Sequence, residues 1–217
     1  MAAAKISGVD TTLLPVPLAP EISLHLAGGG VGLFDGTGGA FSSDVPPPFW
    51  LFVWAGGQAL ARHVLDHPEI VRGRTVLDVA SGSGVAAIAA ARAGASRVTA
   101  MDVDPLAVAA AARNAAANRV AVETHVADVA ELDVPAEVIL AGDVFYTRSV
   151  ADRMTARLRR AARDGTRILV GDPGRGYFPG GLFTQVAEYV VPVAAALEET
   201  ESLVTGVWEM RATERPM

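Results

Sequence analysis

The sequence contains 217 residues, of which 51% are hydrophobic, and it carries a formal net charge of −6. This length and apolar content suit one α/β domain with additions, and the acidic balance argues against a nucleic-acid partner. The absence of cysteine excludes disulfide bonds, a thiolate nucleophile and a cysteine metal site.

Residues 1–48 are predicted to form an irregular segment that covers the substrate site of a main domain, residues 49–217. The segment contains a glycine-rich run at 28–39 and the block Pro46-Pro-Pro48, and one short strand is predicted around 22–26. It has no charged-then-apolar export pattern, and no apolar run of the sequence is long enough to span a membrane. We therefore expect a cytoplasmic protein with no membrane partner.

From residue 74 onward, predicted strands alternate with predicted helices, after an amphipathic helix at 58–65. The strands are predicted at 75–79, 97–101, 120–125, 137–141 and 166–171, and the helices at 84–93, 105–118 and 150–162. Two β-rich segments, 183–191 and 202–210, end the pattern. The predicted fold class is therefore α/β, a Rossmann-like doubly wound, mostly parallel seven-stranded sheet with a terminal antiparallel strand pair.

A glycine-containing turn at residues 80–84 joins the first of these strands to its helix. Residues 82–87 fit the dinucleotide pattern G-x-G-x-x-G/A, and residues 78–84 fit the D-x-G-x-G-x-G motif of S-adenosylmethionine methyltransferases with Ala80 in place of the first glycine. Asp102 follows Gly82 at the spacing of about 20 residues typical of a ribose-binding carboxylate. The pattern thus predicts a nucleoside site, and Asp78 favours S-adenosylmethionine because a carboxylate there would repel phosphates.

The acidic residues that follow successive strands resemble those of the seven-β-strand protein methyltransferases, and within these the lysine methyltransferases with a D-x-x-Y motif. They are Asp78, Asp102, Asp128 and Asp143-Val-Phe-Tyr146. Three further blocks resemble bacterial relatives of the electron-transfer flavoprotein β-subunit lysine methyltransferase: Pro47-Pro-Phe-Trp50, Trp54-Ala-Gly-Gly-Gln-Ala-Leu60 and Gly171-Asp-Pro-Gly-Arg175. The similarity covers nearly all of residues 46–210.

The resemblance implies a binding site for S-adenosylmethionine. Trp54 would pack beside this cofactor, Asp102 would hold its ribose, and Val103 is a further predicted cofactor-binding residue. Its methionine part would contact Asp78 and the turn residues Ala80, Ser81, Gly82 and Gly84, and its adenine would contact Asp128 and the Val129 backbone. No metal is implied, and the four histidines show no metal-ligand spacing.

Asp143 and Tyr146 are the predicted catalytic residues, since they follow the strand beside strand one, at the topological switch point of the sheet. Asp143 would aim the attacking nitrogen, and desolvation in an aromatic pocket would help the amine to lose its proton. The predicted substrate-binding residues are Phe49, Trp50, Phe145 and Arg175.

Each of these positions also has a purely structural interpretation. Asp78 and Asp128 suit helix or turn caps, and Trp54, Phe145 and Tyr146 suit packing positions. Arg175 suits a surface turn, and the glutamates at 198, 199 and 201 suit a solvated turn.

The predicted function is an S-adenosylmethionine-dependent N-methyltransferase acting on a protein lysine, with the electron-transfer flavoprotein β-subunit as one candidate acceptor. Methylation of a small-molecule amine is the nearest alternative, and a non-catalytic nucleoside-binding module is a third. A nicotinamide-dependent oxidoreductase is disfavoured, because Lys5 is the only lysine and a Tyr-x-x-x-Lys pair is impossible. The sequence leaves the oligomeric state and the number of methyl groups open.

Overall fold

The computed structural model describes residues 3–6, 9–27, 48–128, 134–198 and 200–211. Within these ranges the strands are β1 (Ala3–Ile6), β2 (Val9–Pro15), β3 (Ser23–Ala27), β4 (Thr75–Val79), β5 (Arg97–Asp102), β6 (Glu123–Val126), β7 (Val138–Gly142), β8 (Arg167–Asp172), β9 (Phe183–Pro192) and β10 (Ser202–Met210). The α-helices are α1 (Ala55–Asp66), α2 (Val85–Arg92), α3 (Pro105–Ala117), α4 (Arg148–Arg163) and α5 (Ala195–Glu198).

The main sheet has seven strands in the order β6-β5-β4-β7-β8-β10-β9. The first five strands in that order pair in parallel, and β10 pairs antiparallel with both β8 and β9. This topology confirms the predicted α/β class, including the terminal antiparallel pair. Because β4 has β5 on one side and β7 on the other, the chain reverses its winding direction at β4, which is the position where such sheets bind ligands.

Two hydrophobic clusters cover the two faces of this sheet. On β8, Leu169 belongs to the cluster that contains residues of α1 and α2, whereas Ile168 and Val170 belong to the cluster that contains residues of α4. Successive strand residues point to opposite faces. The inner parallel strands β4, β5, β7 and β8 are therefore buried on both sides, which accounts for their continuous apolar runs, whereas the edge strand β6 is largely exposed.

Helix α1 lies unusually close to the ends of β7 and β8. A Cβ atom at Gly56 would overlap the carbonyl oxygen of Gly171, and a Cβ at Gly171 would overlap the carbonyl oxygen of Gly56. A Cβ at Gly142 would lie 2.9 Å from the backbone nitrogen of Gly57. The glycines of the Trp54–Leu60 block thus allow the first turn of α1 to reach the carboxyl edge of the sheet.

The prediction that residues 1–48 are irregular is wrong for the described residues of this segment. Strands β1, β2 and β3 form an antiparallel sheet, of which only the strand corresponding to β3 was predicted. The outer edge of β3 binds α3, because the His25 N–H donates to Asn114 Oδ1 at 2.7 Å and the Ser23 N–H donates to Asn118 Oδ1 at 3.0 Å. These partners are distant in sequence, so local patterns do not reveal them. The predicted glycine-rich cover at 28–39 lies outside the described residues.

The start of β6 was also predicted too early, at residue 120. Arg119 has φ 57°, and the Val120 N–H donates to the carbonyl oxygen of Ala115, so these residues end α3 instead of beginning a strand. Across the described ranges, none of the helices has the length and apolar character needed to cross a bilayer.

Candidate active site

A cavity of about 550 Å³ opens at the carboxyl edge of the main sheet. This volume lies within the range of roughly 300–1,000 Å³ typical of small-molecule sites. A recess of about 50 Å³ adjoins it. The structure places many of the predicted residues on the cavity wall: Phe49, Trp50, Trp54, Ala80, Gly82, Asp102, Val103, Asp128, Asp143, Tyr146 and Arg175. Asp78 and Ser81 line the recess.

The turn between β4 and α2 has three residues in the left-handed region, Ala80 with φ 51°, Gly82 with φ 51° and Gly84 with φ 79°. Gly84 is the N-cap of α2 and does not line the cavity. Glycine adopts this conformation freely, whereas an alanine in it costs roughly 1–2 kcal/mol. The substitution of alanine for the first motif glycine therefore preserves the turn at a cost in stability.

Two carboxylates flank this turn, the buried Asp78 and the partly buried Asp102. Asp102 accepts hydrogen bonds from the Gly82 N–H at 2.9 Å and from the Asp104 N–H at 3.0 Å, which ties the end of β5 to the turn. Asp78 accepts from the Ala87 N–H at 2.9 Å, and burial raises the pKa of Asp78 to about 7. Burial also raises the pKa of Asp102. Both groups are placed so that a positive or hydrogen-bond-donating ligand would favour their ionised forms.

Asp143 follows β7 and has its backbone in the left-handed region, with φ 54°. Its Oδ2 accepts from the N–H of Gly57, in the first turn of α1, at 3.1 Å. Its Oδ1 accepts from Nη2 of Arg175 at 3.0 Å. Burial raises the pKa of Asp143 to about 6, and the Arg175 guanidinium opposes that rise. The carboxylate is therefore held between a helix N-terminus and a cation, both of which stabilise its charge.

Arg175 joins this carboxylate to a second one that the sequence did not indicate. Its Nη2 also donates to Glu198 Oε1 at 2.7 Å, and its guanidinium lies 5.7 Å from the centre of the Trp54 ring. The side chain of Glu198 is 13% exposed. The prediction of a solvated turn at Glu198 is therefore wrong, because the β9–β10 connection folds back over the end of β8.

Aromatic side chains form the rim of the cavity. Tyr146 is 47% exposed, and its ring centre lies 5.8 Å from that of Phe49. The Trp54 Nε1–H donates to the carbonyl oxygen of Phe49 at 2.9 Å, which fixes the Trp54 ring beside the rim. Trp50 is 1% exposed and forms part of the inner wall.

Phe145 lies away from this rim, which corrects its predicted role in substrate binding. It is fully buried, with its ring centre 5.4 Å from that of Phe178 and 6.2 Å from that of Phe183. The backbone turns between Val144 and Tyr146, so that these two residues line the cavity while Phe145 enters the core on the α4 face. The D-x-x-Y pattern alone does not show on which side its middle residues lie.

Asp128 lies on the cavity wall and forms an ion pair with Arg153 of α4, which also lines the cavity. Val129, the other predicted adenine contact, lies outside the described residues. Sequence reasoning assigned no site role to Arg153, Gly57 or Glu198: Arg153 lies in no motif, Gly57 lies unassigned within the Trp54–Leu60 block, and Glu198 was predicted to lie in a solvated turn. In the described part of the chain, no group of three or more histidine, aspartate or glutamate side chains could hold a metal ion.

Comparisons with known proteins agree with this architecture. The family model for ribosomal protein L11 methyltransferase (PrmA) matches residues 59–170. The electron transfer flavoprotein beta subunit lysine methyltransferase of Rattus norvegicus is 37% identical over 171 residues, which are 75% of this chain and 66% of the rat protein. The homolog of that enzyme in Caenorhabditis elegans is 32% identical over 192 residues, 80% of this chain and 78% of the relative.

Among solved structures, magnesium protoporphyrin IX methyltransferase from Synechocystis PCC 6803 with bound SAM superposes with a TM-score of 0.54 at 16% identity. The match covers 70% of this chain and 77% of that chain. At this identity the likeness concerns the fold alone. The matched regions span 54 to 66% of the length of the vertebrate relatives, so the chain corresponds to about two thirds of those proteins or less.

Proposed function

We propose that this chain transfers a methyl group from S-adenosylmethionine to a protein lysine. The chain belongs to the methyltransferase family of PrmA and the electron transfer flavoprotein beta subunit lysine methyltransferases. The observation that carries the proposal is the position of Asp143, a buried carboxylate at the switch point of the sheet, between a nucleoside-sized cavity and an aromatic rim. Relatives named for lysine methylation supply the acceptor class.

The residues of the cavity fit S-adenosylmethionine, which would supply an electrophilic methyl group on its sulfonium. Asp102, tied to the turn through Gly82, has free lone pairs for the two ribose hydroxyls. Asp78, beside the turn, provides a negative charge for the amino group of the methionine part. Asp128, which lies on the cavity wall and pairs with Arg153, is the proposed partner of the adenine amino group.

Asp143 is proposed to orient the lysine nitrogen for attack. A carboxylate alone raises the pKa of a bound amine, which opposes the loss of its proton from a starting pKa near ~10.4. The guanidinium of Arg175, already bound to Asp143, acts in the opposite direction, as does desolvation against the rings of Trp54 and Tyr146. The site therefore orients the amine with a carboxylate whose charge Arg175 partly balances, so that the amine can give its proton to solvent before it enters the cavity and attack as the neutral form.

The proposal is tested by incubating the protein with isotope-labelled S-adenosylmethionine and recombinant electron transfer flavoprotein β-subunit, followed by mass spectrometry of the acceptor. Asp143→Ala is expected to abolish transfer while S-adenosylhomocysteine affinity, measured by calorimetry, stays near that of the wild type. Asp152→Ala removes an exposed carboxylate of α4 and serves as the control. Unchanged turnover in Asp143→Ala would remove Asp143 from the mechanism, and binding of NAD without S-adenosylhomocysteine would end the methyltransferase proposal.

A compact amine remains the alternative acceptor, and transfer to small amines but to no protein would favour it. We further propose that segment 1–48 acts as a cover and residues 49–217 as the catalytic domain. Deletion of residues 1–48 tests this division. Binding of S-adenosylhomocysteine by the remaining chain would support it, and loss of this binding would contradict it. The cytoplasmic location and the absence of a nucleic-acid substrate stay predictions from composition.

A further inference from the structure

Helix α4 carries six arginines and one aspartate, a net charge of +5 on a chain whose net charge is −6. Basic residues are spread along the sequence, but this helix collects a third of the arginines. Its apolar side packs on the sheet through Ala151, Met154, Leu158 and Ala161. The opposite side is exposed at four arginines, Arg148, Arg153, Arg160 and Arg163, which we call the α4 basic face.

The α4 basic face begins at the mouth of the cavity. Arg148 is the first residue of α4, and its guanidinium lies 5.6 Å from the ring centre of Tyr177, which is 44% exposed. Tyr146, on the cavity wall, precedes Arg148 by two residues. Exposed tyrosine and arginine side chains are the types most enriched at the energetic centres of protein interfaces.

The stability of α4 accounts for only part of this arrangement of charge, since Arg160 and Arg163 lie in the last turn, where the helix dipole favours cations. A cation at a helix N-terminus opposes the helix dipole, and the first turn of α4 contains no acidic residue to offset Arg148. A pair of like charges three or four positions apart, such as Arg160 and Arg163, lowers the stability of a helix by roughly 0.2–0.5 kcal/mol. Neither of these two arginines forms an ion pair with any residue that the structure describes.

We propose that the α4 basic face is the docking surface for an acidic region of the protein acceptor, next to the lysine that enters the cavity. This inference rests on the proposed function and names the chemistry of the partner. At 1.5 Å per residue, the 16 residues of α4 extend about 24 Å from the cavity mouth, so an acceptor protein that docks along this helix can also present a lysine at the mouth.

Charge complementarity favours an acidic protein over a nucleic acid. The net positive charge of α4 is local, because the rest of the chain carries a net charge of −11 (−6 − 5) and would repel a phosphate backbone that extends beyond α4. A face of this kind accelerates association with a folded acidic protein and has little influence on a short neutral peptide that reaches only the cavity.

The test compares Arg148→Glu/Arg160→Glu with a matched control, Arg72→Glu/Arg119→Glu, which changes the net charge equally at exposed arginines outside α4. The first measurement is kcat/KM at low and high salt with two acceptors, recombinant electron transfer flavoprotein β-subunit and a short peptide around its methylated lysine. Electrostatic steering contributes factors of roughly 10–10³. We expect the α4 variant to lose at least about 10-fold on the folded acceptor at low salt and to be unchanged on the peptide, with the control near the wild type.

The second measurement is binding of fluorescently labelled poly-L-glutamate and of tRNA, which needs no methyl transfer. Binding of poly-L-glutamate that depends on the α4 arginines supports the docking surface even if no methylation is detected. Failure of the docking proposal can therefore be distinguished from failure of the proposed methyltransferase function. Equal losses in both variants, or a salt dependence that the α4 variant retains, would overturn the proposal. Tighter α4-dependent binding of tRNA than of poly-L-glutamate would replace the acidic protein with a nucleic acid.

Discussion

Replacing Arg175 by glutamine is expected to shift the pH dependence of methyl transfer to higher pH. In the wild type, Arg175 Nη2 lies 3.0 Å from Asp143 Oδ1, and burial raises the pKa of Asp143 to about 6 even with this cation in place. A neighbouring arginine lowers the pKa of an aspartate by roughly 1–3 units, so its removal is expected to bring the pKa of Asp143 to about 7–9.

The pH dependence shifts to higher pH because the ionised form of Asp143 is the active form. Activity is present above the pKa of this carboxyl group and is lost as the pH falls through it. At pH 7 the ionised fraction is about 90% for a pKa of about 6, and it falls to between about 50% and about 1% once the pKa reaches about 7–9. The variant is thus expected to lose between about 2-fold and 100-fold in kcat/KM at pH 7, and to recover toward the wild-type value near pH 9.

The assay is kcat/KM for the folded acceptor, measured from about pH 5.5 to 9.5 and expressed as the ratio of variant to wild type. The ratio cancels the titration of the free acceptor lysine, which is the same for both proteins, because kcat/KM reports the free enzyme and the free substrate. Arg175→Lys retains the cation and is expected to restore most of the activity at pH 7. Because loss of Arg175 also leaves the nearly buried Glu198 unpaired, Arg175→Gln/Glu198→Gln controls for that stranded charge. A ratio that does not change with pH would refute the claim that Arg175 acts through Asp143.

Three further changes test the cofactor site and the fold. Asp102→Ala removes the acceptor for two ribose hydroxyls, and each charged hydrogen bond contributes about 1.5–3 kcal/mol. The affinity for S-adenosylhomocysteine, measured by calorimetry, should therefore fall at least about 10-fold. An unchanged affinity would show that Asp102 does not hold the ribose. Wild-type affinity for the same ligand should rise as the pH rises through about 7, where Asp78 ionises, and Asp78→Asn should flatten this dependence. The raised pKa also means that Asp78 stabilises the ligand-free protein at low pH and that this contribution is lost as the pH rises through about 7. Gly56→Ala should lower the free energy of unfolding by about 1–3 kcal/mol because its Cβ overlaps the Gly171 backbone, whereas Gly181→Ala, with open space around it, should be neutral in thermal denaturation.

Local patterns were sufficient to predict most of the main sheet. Buried parallel strands appear in the sequence as short continuous apolar runs, and the intervening helices begin at caps such as Asp104, whose side chain accepts from the Leu106 N–H at 2.8 Å. The acidic residues could be placed at one edge because parallel strands all end on the same side. It was therefore predictable that these carboxylates lie near one another, but the hydrogen-bond partners of each carboxylate were not predictable.

The errors arose where a residue's partner is far away in the sequence. Glu198 approaches Arg175 only because the β9–β10 connection folds back, and β3 is held by asparagines of α3. Phe145 and Tyr146 are adjacent in a turn, but the Phe145 side chain enters the core whereas Tyr146 lines the cavity, and the spacing of the motif does not specify this difference.

The sequence by itself determined the alternation of strands and helices, the glycine turn and the order of the strand-end aspartates, because each depends on residues close together in the chain. Only the tertiary structure decided how those carboxylates are charged and what faces them. Burial raises the pKa of Asp143, and the position of Arg175 limits that rise. The packing of α4 on the sheet likewise decides which of its arginines are exposed, because the side of the helix that carries Ala151, Met154, Leu158 and Ala161 is the one that faces the core.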